Sequence, residues 1–131
     1  MQRTSVNPWT WSQQFGFNQA ELVEGHQRTL FCAGQSSVDP DGVAQHPGDM
    51  AAQFALTLDN LETVLARGGM SLSDVVRLTV YTTDVDGILP HYGILAQRLS
   101  AASVMPAATL LGVTRLAFPE LLVEIEATAV Q

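Results

Sequence analysis

Cysteine occurs once in these 131 residues, as Cys32, and no Cys/His cluster has the spacing of zinc ligands. An internal disulfide is therefore impossible, a reducing compartment is implied, and neither a metal nor a cofactor is expected. Basic residues are also few, with six Lys and Arg against thirteen Asp and Glu for a net charge of -7. Such a chain would release no counterions from a phosphate backbone or an anionic membrane, which argues against nucleic acid and membranes as partners. No apolar run reaches membrane-spanning length, and Met1–Pro8 lacks the apolar stretch of a secretory signal, so the expected location is cytoplasmic. The strand-to-helix glycine spacing that cradles phosphate is missing, as is any nucleophile elbow or Ser-His-Asp pattern. His26, His46 and His91 have no motif around them and read as solvated. Cys32, mid-strand between Phe31 and Ala33, reads as a buried, inert thiol.

What the chain does have is apolar residues, 47% against 15% charged, in a length that supports one core. The expectation is a single domain, residues 1–131, that buries further apolar surface between copies of itself as a homo-oligomer. Trp9 and Trp11 fall in an N-terminal arm, residues 1–14, expected to pack as a hydrophobic clasp. Gln19–Glu24 and Arg28–Ala33 flank Gly25-His26 and predict a hairpin. Asp49 predicts an N-cap for a helix ending at Gly68-Gly69, with Met50, Phe54, Leu58, Leu61 and Leu65 on its inner side. Val76, Leu78 and Val80 alternate with Arg77, Thr79 and Tyr81 as a third strand. Asp86 is placed to cap a second helix with Pro90 in its first turn, carrying Ile88, Tyr92, Leu95 and Leu99 inward until Pro106.

The last stretch, from Pro106, reads as two strands. In the second, Leu121, Val123, Ile125 and Ala127 alternate with Leu122, Glu124, Glu126 and Thr128, which puts both carboxylates on one face of the pleat. That face is either wet or functional, and two like charges side by side make a proton-transfer pair if another subunit covers them. The order is ββαβαββ, an α/β (α+β) fold whose mostly antiparallel sheet is covered on one face by two helices.

Ala33-Gly34-Gln35-Ser36-Ser37-Val38-Asp39-Pro40, Gln53 with Leu58-Asp59-Asn60-Leu61, Val76-Arg77-Leu78-Thr79-Val80-Tyr81, the Pro106 strand and Val123-Glu124-Ile125-Glu126-Ala127 together resemble the RidA/YjgF family. The likeness runs from Phe15 onward, in order. It implies a chorismate-mutase-like homotrimer with small-molecule clefts between neighbouring subunits. Better-known members hydrolyse enamines and imines such as 2-aminoacrylate to a 2-oxo acid and ammonia. Older endoribonuclease labels sit poorly with the charge of this chain.

Matched to the deaminase branch, this chain keeps the catalytic glutamate, as Glu124, and loses the polar groups around it. Ala108 stands where the resemblance places a carboxylate-binding arginine, Phe17 where it places a tyrosine, Ala33 a serine, Tyr92 an asparagine and Leu110 a cysteine. Gly34, Thr109 and the backbone at Gly112 complete the implied cleft. Arg115, in the loop beyond, is given a structural role. The resemblance thus implies an enamine or imine hydrolase or tautomerase for a substrate larger and less charged than a small 2-imino acid. The alternative is a trimer that binds without catalysis.

Overall fold

A computed structural model describes residues 1–131. Its longest helix, α1 (Met50–Arg67), starts where the sequence places it: the Asp49 side chain accepts from the Ala52 N–H at 3.0 Å. Met50, Phe54, Leu58, Leu61 and Leu65 are all buried, as helical spacing demands of one apolar stripe. They pack on a four-stranded sheet in the order β3 (Thr29–Ser36), β6 (Val123–Val130), β4 (Val75–Thr82), β5 (Ala107–Gly112). β6 pairs antiparallel with both β3 and β4, and β4 pairs parallel with β5. The core of 18 buried residues lies between α1 and this sheet, with Val123, Ile125 and Ala127 of β6 at its centre.

The N-terminus departs from the expected arm. Residues Gln2–Val6 form a strand, β1, paired antiparallel with β2 (Ala20–Glu24) in a separate two-stranded ribbon. Arg3 fixes that ribbon: its guanidinium donates to Glu21 at 2.6 Å and to the Val75 carbonyl at 2.7 Å. The Glu21 carboxylate also accepts from Ser5 and Asn18, so its burial is compensated. The order is therefore βββαβααββ, with one strand and one helix more than the pattern predicts.

The Gly25-His26 hairpin does not pair as one. β2 leads from the β5 edge, where Asn18 N–H donates to the Pro106 carbonyl at 3.0 Å. β3 starts at the other edge, held by a mutual pair between Arg28 and Gln131. Gly25 (φ 71) turns the chain, but the turn serves a crossing between sheet edges. Two smaller shifts follow from local geometry. Val75, not Val76, enters the core because the β4–β6 register shifts between Val75 and Arg77. Asp84, not Asp86, caps the second helical stretch, accepting from the Gly87 N–H at 3.0 Å. That stretch is broken at Leu89-Pro90-His91 into a short α2 (Val85–Ile88) and α3 (Gly93–Ala101), because proline cannot supply the donor for a continuous helix.

One buried polar side chain ties the loop before β6 to α1. Gln53 Nε2 donates to the carbonyls of His46 at 3.0 Å and Glu120 at 2.8 Å, and its Oε1 accepts from Leu122 N–H at 2.8 Å. Gln53→Met keeps the volume but leaves the Glu120 carbonyl and the Leu122 N–H without partners. At fixed protein concentration, urea unfolding should show a loss of about 3 kcal/mol. Arg98→Ala, which removes surface pairs to Asp59 and Glu62 and a hydrogen bond to the Ala55 carbonyl at 3.2 Å, should lose about 1 kcal/mol, well short of Gln53→Met.

Candidate functional site

The pleat of the sheet sorts the candidate residues into two groups. Ala108 and Leu110 of β5 sit opposite Leu78 and Val80 of β4, which sit opposite Ala127 and Ile125 of β6. All six side chains face the helices. Thr109 sits opposite Thr79, itself opposite Glu126, and Tyr81 has Leu111 on one side and Glu124 on the other. These point to the uncovered face.

On the helix side, Ala108 and Leu110 meet Phe17 and Tyr92, with Phe15 and Leu89 added, around a cavity of about 410 Å³. Four of the residues singled out in the sequence are thus brought together. The 3-10 turn Trp11–Phe15 ends at Gly16 (φ 84), which lets Phe15 and Phe17 both turn toward β5. Tyr92 reaches the cavity because the Pro90 break ends the short helix just before it. Phe15 and Leu89 escaped the sequence reading; a Phe-Gly-Phe step and a Leu-Pro break are the signals that point to them. Trp9 and Trp11 do not form a buried clasp, being 64% and 55% exposed. Trp11 instead stands edge-on to Phe17, 5.9 Å between centroids.

Tyr92 is the one polar member of the cavity wall. Burial raises its phenol above the ordinary tyrosine value, and no hydrogen bond contributes. Ala108 leaves the cavity with no cation. Arg115 lies exposed in its loop and reaches only the Ala117 carbonyl, at 3.5 Å.

On the open face, Glu124 lies against Gly34, which has no side chain to displace it; a Cβ there would overlap the Glu124 carboxylate. Ser36 and Tyr81 flank it in register. Ala33 is exposed beside Gly34, within the register shift of β3 between Cys32 and Gln35, and Gly112 is exposed at the end of β5. Tyr81 donates to Glu126 at 2.5 Å. That hydrogen bond, then partial burial and the Glu126 charge, raise the Tyr81 phenol, with Glu124 adding to the effect. The pairing went unseen in the sequence because it joins two strands 45 positions apart. Within one chain, Glu124 therefore does not meet Phe17, Tyr92, Ala108 or Leu110; the sheet stands between them.

The chain is an α+β fold that presents an apolar cavity on one side of a sheet and a carboxylate pair on the other. The relationships place it more closely. The family model described as endoribonuclease L-PSP matches residues 14–131. A RutC family protein of Pyrococcus horikoshii is 34% identical over 100 residues, 76% of this chain and 77% of that protein. The crystal structure of YyfB from Yersinia pestis, a Rid-family protein of unknown function, is 37% identical with a TM-score of 0.84 over 100% of both chains. Escherichia coli TdcF, crystallised with bound serine, is 27% identical with a TM-score of 0.71 over 88% of this chain and 87% of that one. TdcF carries the provisional name of reactive intermediate deaminase. The chain belongs to the RidA/YjgF family.

Two outcomes follow from the open face. Gly34→Ala should fold with a stability change within about 1 kcal/mol, since only the flexible end of Glu124 must move, and its crystal structure should show that carboxylate displaced. A tyrosine whose folded pKa is raised keeps its proton longer in the native state. The stability it contributes is thus present below about pH 10 and lost as pH rises through the raised value. Ultraviolet titration of the two tyrosines should show both above about 10, and Glu126→Ala should return Tyr81 toward the ordinary value while Tyr92 stays high.

Proposed function

We propose that the chain is a homotrimeric hydrolase of enamine or imine intermediates that carry no carboxylate, with each cleft built from two subunits. The reading rests on one placement: the apolar half-pocket of Phe17, Tyr92, Ala108 and Leu110 and the Gly34–Glu124 pair lie on opposite sheet faces of one chain. The half-pocket of one copy then meets the partner subunit's Glu124. Exposed apolar groups on the open face, Phe31 (79% exposed) and Leu111, support burial of that face by another copy.

The chemistry asks little of the site. An enamine takes a proton on carbon and becomes an iminium; water adds to the iminium carbon as Glu124 accepts the proton that water loses. The same carboxyl returns the proton to nitrogen, the C–N bond breaks as the carbinolamine hydroxyl gives up its proton to form the carbonyl, and iminium plus water has become carbonyl plus ammonium. Positioning and one proton shuttle suffice, because imines hydrolyse readily in water. Ala108 decides the substrate class. The bound serine of TdcF has a carboxylate, but here a desolvated carboxylate would find no guanidinium, at a cost of several kcal/mol.

A second reading, a trimer that binds without turnover, is favoured by the wholly apolar or aromatic cavity wall. One experiment separates the two. Sedimentation should give a trimer at micromolar concentration, and a stable monomer would remove the shared cleft. The imine of cyclohexylamine, formed in place by an amine oxidase, should release ammonia faster with the protein than without it, and Glu124→Gln should lower that acceleration about 100-fold or more. 2-Iminopropionate should show little turnover. No acceleration with either substrate leaves the binding reading, and Glu124-dependent turnover of 2-iminopropionate overturns the carboxylate-free assignment.

A further inference from the structure

Aromatic rings dominate one side of the cavity behind β5. Phe15 and Phe17 line it directly beside Tyr92. Trp11 stands edge-on to both, at 6.4 Å from Phe15 and 5.9 Å from Phe17 between centroids, while Tyr92 is edge-on to the buried Phe54 at 6.0 Å. Trp11 and Phe15 nonetheless remain more than half exposed. Rings fixed edge-to-face keep faces and edges open to one more planar ring, whose quadrupole they complement. About 410 Å³ lies within the range of small-molecule sites, and a molecule the size of 2-aminoacrylate would leave much of it empty.

Charge narrows the ligand further. No cation lines the cavity, Arg77 lies on the far face of the sheet, and the chain carries a net -7. An anion entering would lose its water without gaining a counter-charge. Tyr92 is the one wall residue with a polar group, and its hydroxyl is spoken for by no other side chain or carbonyl. It can donate one hydrogen bond to a ligand acceptor.

We infer that the cleft takes an uncharged ligand built on an aromatic ring, with the ring against Phe15 and Phe17, which Trp11 backs edge-on, and one hydrogen-bond acceptor at the Tyr92 hydroxyl. This rests on the proposed function only for the direction of the reacting C=N group, toward the partner subunit's Glu124; the ring assignment stands on the cavity.

Binding without turnover tests it, by calorimetry on the intact native protein. The probe is acetophenone, the carbonyl product of an aromatic imine, compared with benzoate and with cyclohexyl methyl ketone. Acetophenone should bind at least about tenfold more tightly than benzoate and about threefold more tightly than the cyclohexyl ketone. Tyr92→Phe should weaken acetophenone about fivefold and leave ethylbenzene unchanged, while Ala108→Leu, which pushes a larger side chain into the cavity, should weaken both about tenfold or more. Should Ala108→Leu not fold, saturation transfer from acetophenone to the Phe15, Phe17 and Tyr92 ring protons of the unaltered protein supports the inference, and its absence overturns it. Benzoate binding as well as acetophenone, or no preference for the aromatic ketone, also overturns it. The two proposals fail separately: acetophenone binding with imine turnover indifferent to Glu124→Gln removes the hydrolase alone, and Glu124-dependent turnover without aromatic preference removes the ring assignment alone.

Discussion

The pleat of β6 is the constraint on which the rest depends. This strand lies between β3 and β4, antiparallel to both, so its alternation is imposed on both neighbours. A slip of one residue would drive Glu124, Glu126 and Thr128 under α1 and expose Val123, Ile125 and Ala127. Charged groups have no partners under α1, so the register is fixed by the cost of burying them. Once it is fixed, β4 must turn Leu78 and Val80 inward and Tyr81 outward, and β5, paired with β4, must send Ala108 and Leu110 to the helix side. The separation of the half-pocket from the carboxylates therefore follows from one strand's alternation.

That alternation, and the apolar stripe of α1, were legible because each is periodic over eight or more residues and each period has one solution. The N-terminal ribbon was not. Gln2-Arg3-Thr4-Ser5-Val6 has no apolar periodicity to read, since both its faces are largely exposed and it is held by Arg3 reaching Glu21 and the carbonyls of Ser73 and Val75. The false hairpin has the same origin. A turn at Gly25 says that the chain changes direction there, but β2 and β3 are claimed by opposite sheet edges through Pro106 and Gln131, and turn chemistry carries no information about that. Similarly, Asp84 and Asp86 are equally good caps by type, and only the position of the Gly87 N–H selects between them.

The site was legible in parts rather than as a whole. The identities at Phe17, Tyr92, Ala108 and Leu110 came through family resemblance, and their grouping around one cavity required the β4–β5 register together with the Pro90 break. Phe15 and Leu89 belong to the same wall but sit at positions where exposed apolar residues are ordinary, so only the Phe-Gly-Phe step and the Leu-Pro break point to them. Tyr81 was read as one member of an alternating strand; its hydrogen bond to Glu126 appears only when β4 and β6 are laid side by side.

In the proposed reaction, the apolar groups at Phe17, Ala108 and Leu110, set against Glu124 of the partner subunit, would have a consistent electrostatic sense. With no guanidinium at position 108, the charged groups next to the C=N bond would be carboxylates, and the wall facing them is apolar or aromatic. A neutral imine gains little from a carboxylate on binding, but the iminium formed as the nitrogen is protonated gains a Coulomb attraction that a dry, apolar surround strengthens. The stabilisation would then be larger for the charged species than for the bound ground state, which is the condition for acceleration rather than mere affinity. An arginine beside the same carbon would oppose that charge, and a substrate carboxylate is what normally offsets the arginine. Removing both together would leave a site that still favours the charged step, and under the proposed reaction Ala108 and an apolar cavity would fit each other better than either would fit a small 2-imino acid.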